Sequence, residues 1–342
     1  MTLRLPAEWE EQDGVLLAWP HEESDWLPWL PMVEIVFAQI IKEITRFETA
    51  LVVAADAERT AAILTAVGAR MERVRLFEIP SNDTWARDFG PITIKRDGAP
   101  VLLDYGFNGW GLKFASDRDN LITRRLFHDG AFGGIPLETV GLILEGGSIE
   151  SDGEGTVLTT AECLLHPNRN PHLCRGEIEE ALRSRLGAGH LLWLENGYLA
   201  GDDTDSHVDT LARLAPDDTI VYVRCDDAAD EHYTPLFLME KELKSFRTRE
   251  GKPYRLIPLP WPRACFDEEG TRLPATYANF LVINGAVLVP TYDDPADEAA
   301  LATVGQAYPG REIIGIDCRP LVLQHGSLHC VTMQIPKGVL TP

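Results

Sequence analysis

LPMVEIVFAQIIKEITRFETALVVA, residues 30–54, contains an amphipathic helix, a short turn and an apolar strand in succession. Val33, Val36, Phe37, Ile40, Ile41 and Ile44 recur at three- and four-residue spacing, which puts them on one face of a helix over 30–48. Residues 50–54 are continuously apolar and read as a buried strand. The same unit recurs along the chain. Residues 57–69 lead into 74–79, 117–128 toward 140–144, 175–187 into 191–194, 231–248 into 254–259, and 295–307 into 312–316. Further strands are expected at 14–19, 101–105, 219–223, 280–283 and 286–290. About five helix-plus-strands units make an α/β chain, whose ordinary outcome is a doubly wound parallel sheet. Short, paired, Pro-broken strands suit instead several small mixed sheets around an axis. Pattern alone slightly favours the doubly wound sheet.

The chain has 342 residues, 45% of them hydrophobic and 25% charged, near the averages for a folded soluble protein. No window reaches the apolar length of a membrane span, and residues 1–12 carry no basic n-region or apolar h-region, so a cytoplasmic protein without a secretory signal is expected. The formal charge of −22 repels nucleic acid and anionic membranes and attracts small cations. Six cysteines lie scattered without framework spacing and read as reduced thiols.

Four segments could carry chemistry. NDTWARDFGP (82–91) sets Asp83, Arg87 and Asp88 around Trp85 and Phe89; its plain alternative is a turn with a surface ion pair. LEGGSIE (144–150) puts the Glu145 carboxylate at a strand mouth, with two glycines that allow close backbone approach. GDDTDSHVDT (201–210) gathers Asp202, Asp203, Asp205 and Asp209 about His207. On an extended segment, the H-x-D pair would place His207 and Asp209 on one face, an imidazole for proton transfer beside a carboxylate that grips a cation or tunes it. The segment lacks the glycine and distal glutamate of a calcium loop, and a solvated acidic loop is its plain reading. QHGSLHCVTMQIP (324–336) offers Cys330 as a nucleophile directly after His329, although lone cysteines are more often buried packing residues. Cys163, His166, His172 and Cys174 form a C-x2-H-x5-H-x-C set that matches no common zinc module.

Taken together, in order and over almost the whole chain, RLPAEWEEQDGVLLAWP, NDTWARDFGP, LEGGSIE, ECLLHPNRNP, GDDTDSHVD, PATYANF and HGSLHC resemble the agmatine deiminase and bacterial-type peptidylarginine deiminase family of guanidino-modifying enzymes. The resemblance implies a single catalytic domain over 1–342, folded as a five-bladed α/β propeller (a pentein) of pseudo-repeated ββαβ modules. It implies Cys330 as nucleophile, His207 as general acid/base, Asp88 and Asp209 as the carboxylates that hold the guanidinium, and Glu145 as support for the histidine. Asp203 is carried over as the acid that meets the distal amine, and Trp85 and Asn279 as further substrate contacts. Plant-type members have GGGN-I-HC before the cysteine, where this chain has His325-Gly326-Ser327-Leu328-His329.

The reaction so implied is hydrolysis of agmatine to N-carbamoylputrescine and ammonia through an S-alkylthiouronium on cysteine, as a step in putrescine and polyamine metabolism. No step in it calls for a cofactor or a metal. The expected partner is a small cationic guanidine, with no nucleic acid and no membrane; a homodimer is the assembly considered. A pocket for arginine would need a basic group for the α-carboxylate, whereas these segments supply acids, and Arg87 beside Asp88 is expected to be structural. The rivals are a peptidylarginine or free-arginine deiminase with the same chemistry, a zinc hydrolase using the Cys163 set or His325 with His329, and a non-catalytic polyamine-binding protein.

Overall fold

The computed structural model describes residues 2–340; Met1, Thr341 and Pro342 of the expected 1–342 domain lie outside the described residues. Helix and strand alternate as the periodicity requires. The first long helix is Leu30–Ile44, with Pro31 in its first turn and Val33, Phe37, Ile40, Ile41 and Ile44 fully buried. The next, Ala57–Val67, is capped by Asp56, whose Oδ1 accepts the Arg59 N–H at 2.8 Å, and is closed by Gly68 at φ +81°.

The strands do not join into one doubly wound sheet. They form five separate mixed sheets and a two-stranded ribbon, Cys265–Phe266 with Arg272–Leu273. One plan repeats in the five: a first strand pairs antiparallel with a second, and the second pairs parallel with a third reached through a helix. Ile92–Arg96, Ala99–Gly106 and Leu137–Ile143 follow it. So do Ile149–Ser151, Thr156–Thr160 and His190–Leu194, then Ala212–Ala215, Thr219–Val223 and Arg255–Leu259, then Leu281–Ile283, Ala286–Thr291 and Glu312–Asp317. The remaining sheet joins distant parts of the chain. Met333–Pro336 runs antiparallel to Gln12–Ala18, which pairs parallel with Thr49–Ala54 and through it with Val74–Glu78.

The expected doubly wound sheet fails for a local reason. After the parallel strands that end at Glu78, Ile143 and Leu194 the chain begins a new sheet with an antiparallel pair instead of crossing back. Among the described sheets it is the one holding Gln12–Ala18, Thr49–Ala54 and Val74–Glu78 that extends by a second parallel crossover. Asp97-Gly98 (φ +50° and +82°) and Asn284-Gly285 (Gly285 φ +76°) join two of the antiparallel pairs by turns of the two-residue form that hairpins favour. Among the described residues no helix is long and apolar enough to cross a membrane, and all six cysteines are free.

Ile335 is fully buried, opposite Gly14, where the strand that follows the cysteine segment enters the sheet. Ile335→Ala should lower stability by about 2–5 kcal/mol, the usual cost of a large-to-small change in a packed core. Urea unfolding measures this, and an unchanged midpoint would show that the strand is not integral to the core.

Candidate active site

The first strand of each sheet is preceded by a tight turn, and each turn bears a residue singled out in the sequence. Asp88 lies in the helical turn Ala86–Phe89 before Ile92–Arg96, and Glu145 precedes the 3-10 turn Gly146–Ser148 before Ile149–Ser151. His207 and Asp209 flank and enter the 3-10 turn Val208–Thr210 before Ala212–Ala215. Asn279 stands before Leu281–Ile283, and His329 and Cys330 before Met333–Pro336. Residues far apart in sequence therefore occupy equivalent places in the repeat.

Gly147 marks where they meet. A Cβ there would fall 2.6 Å from His207 Nδ1 and 3.0 Å from both Asp209 Oδ2 and Asp88 Oδ1, so only glycine leaves room for the three groups. His207 is fully buried, with Nδ1 3.6 Å from Asp88 Oδ1. Burial works against its charge, but Asp88, Cys163 and Glu145 outweigh burial and push it up to about 10. Asp88 accepts Trp110 Nε1–H at 2.9 Å and the Gly147 N–H at 3.0 Å, yet burial, opposed by His207 and reinforced by Asp209, raises it to about 6. Glu145 is held by Arg169, whose Nε–H lies 2.8 and 3.0 Å from its two oxygens.

The extended backbone expected for the H-x-D pair needs correcting, although both side chains do meet at Gly147. Residues 208–210 form a 3-10 turn rather than an extended segment, and Asp209 pairs with His329, whose Nδ1 lies 2.7 Å from Asp209 Oδ2. Burial opposes its charge, but this bond and the positive groups around it hold Asp209 below the usual carboxylate range. The other face of His329 meets Glu8 (Nε2 to Oε1, 2.8 Å) and Arg213 (3.0 Å). Asp209 Oδ1 and both ring nitrogens of His207 are buried without a hydrogen-bond partner among the described residues.

Cys330 is buried, and its thiol is pushed well above its ordinary value by burial and by the charges of Asp209 and Asp88. Asn279 Oδ1 accepts the backbone N–H groups of His329 (2.9 Å) and Cys330 (3.2 Å), so its contacts are with the backbone of the cysteine loop. Arg87 is buried on Glu8 at 3.1 Å and on Gln334, a structural placement as expected.

A cavity of about 150 Å³ reaches Cys330. Asp88, Trp85, Trp110 and Phe114 line it together with Asp25, Asp83, Asp202, Asp203 and His325; no Lys or Arg is among its lining residues. Trp85 Nε1–H donates to Asp83 Oδ2 at 2.9 Å, and its ring lies so close to Gly326 that a Cβ there would sit 2.1 Å from it.

Glu8, Arg169, Trp110, Arg213 and the pairing of His329 were not found from sequence. Each acts across a long separation; Glu8 and Arg169 lie inside family-like segments, but nothing in those segments marks what they contact. The zinc set does not assemble. Among the described residues, no three of Cys163, His166, His172 and Cys174 bring ligand atoms within 4.8 Å of one another. Glu145, Cys163 and His207 do so, as do Glu8, Glu150 and His329. Arg169 already occupies Glu145, and Arg213 occupies the second set, so both offer a cation poor terms.

At the level of fold the chain shares the class of dimethylarginine dimethylaminohydrolase (TM-score 0.52, 10% identity, covering 95% of this chain and 100% of that one). A family model described as Porphyromonas-type peptidyl-arginine deiminase matches residues 4–336, and this chain belongs to that family. Agmatine deiminase of Pseudomonas aeruginosa is 34% identical over 97% of this chain and 95% of its own length. A C. jejuni agmatine deiminase structure with substrate bound, in which serine replaces a cysteine, aligns with TM-score 0.92 and 40% identity over 99% of this chain and 97% of that one. A Porphyromonas gingivalis structure provisionally named an arginine deiminase gives 0.95 and 52%, over 99% and 100%.

Because Asp209 disfavours the thiolate, Asp209→Asn should make Cys330 more reactive toward iodoacetamide near pH 8 in the absence of substrate, by about tenfold. Mass spectrometry of the Cys330 peptide reads the rate; slower alkylation than in the wild type would contradict the electrostatic account.

Proposed function

We propose that this chain is an agmatine deiminase, a hydrolase that cleaves a guanidine carbon–nitrogen bond through Cys330. One observation carries the reading: the cavity that ends at Cys330 is lined by five aspartates and by no Lys or Arg. Such a lining accepts a ligand that is positive at both ends, and the Lys113 ammonium beside Asp203 is already engaged by the Asp203 carbonyl and the Asp205 carboxylate, at 2.7 Å each. The relatives named agmatine deiminase, one with substrate bound, support the same substrate.

The chemistry follows from the charges. Asp88 and Asp209 hold the planar guanidinium by its N–H edges and set its carbon against the sulfur. The free Asp209 Oδ1 is available for this contact. Without substrate these carboxylates keep Cys330 protonated; the bound cation cancels them and lets the thiol give up its proton to water, leaving the thiolate. Attack forms the C–S bond. His207, an imidazolium at neutral pH, gives its proton to the leaving nitrogen, and ammonia departs. The thiouronium is then attacked by a water that the neutral His207 deprotonates, and the C–S bond breaks to release N-carbamoylputrescine and regenerate the thiol. Glu145, fixed by Arg169, stands beside the imidazole and adds to the pull that raises it. Asp203 meets the distal amine, and Trp85 forms part of the wall. Asn279 fits better as a support of the nucleophile's backbone than as a substrate contact.

The five sheets, each built as ββαβ, are read as the blades of one five-bladed propeller, a pentein, with the site where their leading turns converge. The whole chain then acts as one catalytic domain, in the cytoplasm, and every group in the scheme comes from a single chain. The scheme uses neither metal nor cofactor, so turnover should survive EDTA.

Cys330→Ser should lower turnover by several decades while leaving the fold intact, because a serine hydroxyl does not ionise near neutral pH; near-wild-type ammonia release would remove Cys330 from the mechanism. For the wild-type enzyme, kcat/KM for agmatine should exceed that for arginine by about a hundredfold, since an unpaired, desolvated carboxylate costs several kcal/mol. Equal values, or a preference for a blocked arginine peptide, would replace agmatine with another guanidine as the substrate.

A further inference from the structure

His325 lines the same cavity and has no part in the bond-breaking steps. Its backbone is left-handed, φ +64°, a conformation that glycine takes freely and other residues take seldom. The chain nevertheless sets an imidazole there and fixes it. Nδ1 lies 2.7 Å from the Gly201 carbonyl oxygen, which can only accept, so Nδ1 carries the proton of the neutral ring. Gly201 is itself held in place: at φ +82° its Cβ position lies 2.3 Å from the Arg272 carbonyl oxygen. The same Nδ1 is 3.8 Å from Asp203 Oδ2. In the neutral ring Nε2 is thereby left as a hydrogen-bond acceptor, on a side chain that is partly exposed and borders the cavity.

We infer that His325 is a specificity-determining residue, whose Nε2 accepts a second hydrogen bond from the distal ammonium of the substrate beside Asp203. This rests on the reading of the substrate as a guanidine with a cationic far end. An ammonium has three donors, and one carboxylate does not use them all. A neutral imidazole adds an acceptor without adding charge. Asp203 supplies the attraction and His325 the direction, so the pair selects an ammonium over a methyl group of the same size.

The test compares agmatine with pentylguanidine, in which a methyl group replaces the ammonium, and reads the ratio of their kcat/KM values. His325→Gly suits the left-handed backbone and removes the imidazole. The ratio should fall about tenfold, the worth of a hydrogen bond to a charged group, with the change in KM for agmatine and little in kcat. His325→Gln, which keeps a side-chain acceptor, should recover part of it. Turnover of pentylguanidine by each variant shows that the variant is folded. An unchanged ratio in His325→Gly, or equal losses on both substrates, would overturn the inference and leave the imidazole as a wall. A wild-type enzyme that shows no preference for agmatine over pentylguanidine would instead remove the dicationic substrate, and this inference with it.

Discussion

Asp88, Glu145 and Asp209 stand within reach of one imidazole, His207, and all four side chains are almost wholly withdrawn from water. Buried carboxylates of like charge repel one another and lose their hydration, so each needs a fixed partner. Arg169 serves Glu145, His329 serves Asp209, and Trp110 with the Gly147 amide serves Asp88. Behind them Glu8 ties Arg87, Arg213 and His329 into one cluster, and Arg213 extends it to Glu150. The compensation is incomplete: Asp88 is left well above its ordinary range and His207 well above its own. That remaining imbalance leaves the cluster short of positive charge.

Convergence on one point follows from repetition. Every sheet begins with a turn, and the turn delivers its side chain to the common centre before the chain enters a strand. The Asp88, Glu145, Asp209, Asn279 and Cys330 turns differ in detail, from a helical turn to 3-10 turns, yet each leads into a first strand. The side chains gathered at the centre thus rest on short turns anchored by buried strands.

Much of this was legible in the sequence because periodicity is local. The face of Leu30–Ile44 and the apolar run of Thr49–Ala54 appear within a few residues of each other, and the structure keeps both. The separation of the strands into five sheets was not legible from pattern, since a parallel pair within a small sheet and one within a large sheet have the same apolar signature. Asp97-Gly98 and Asn284-Gly285 were the available signs of hairpins. At the site, Asp88, Glu145, His207, Asp209 and Cys330 stood out as polar residues beside apolar strands. Glu8 did not: it contacts His329 across 321 positions, and nothing near Glu8 in sequence announces that contact. The pairing of Asp209 was misread because the H-x-D spacing looks the same on a strand and in a 3-10 turn.

The sheet that joins Met333–Pro336 to Gln12–Ala18 also sets an order of events in the cell. A growing polypeptide leaves the ribosome with the carboxylates of the site already made and the thiol still to come. Its pairing of Met333–Pro336 with Gln12–Ala18 joins the two ends of the described chain, a slow kind of contact to form. Until then Asp209 lacks His329, the partner that holds its charge, and Asp88, Glu145 and His207 stand without Cys330 beside them.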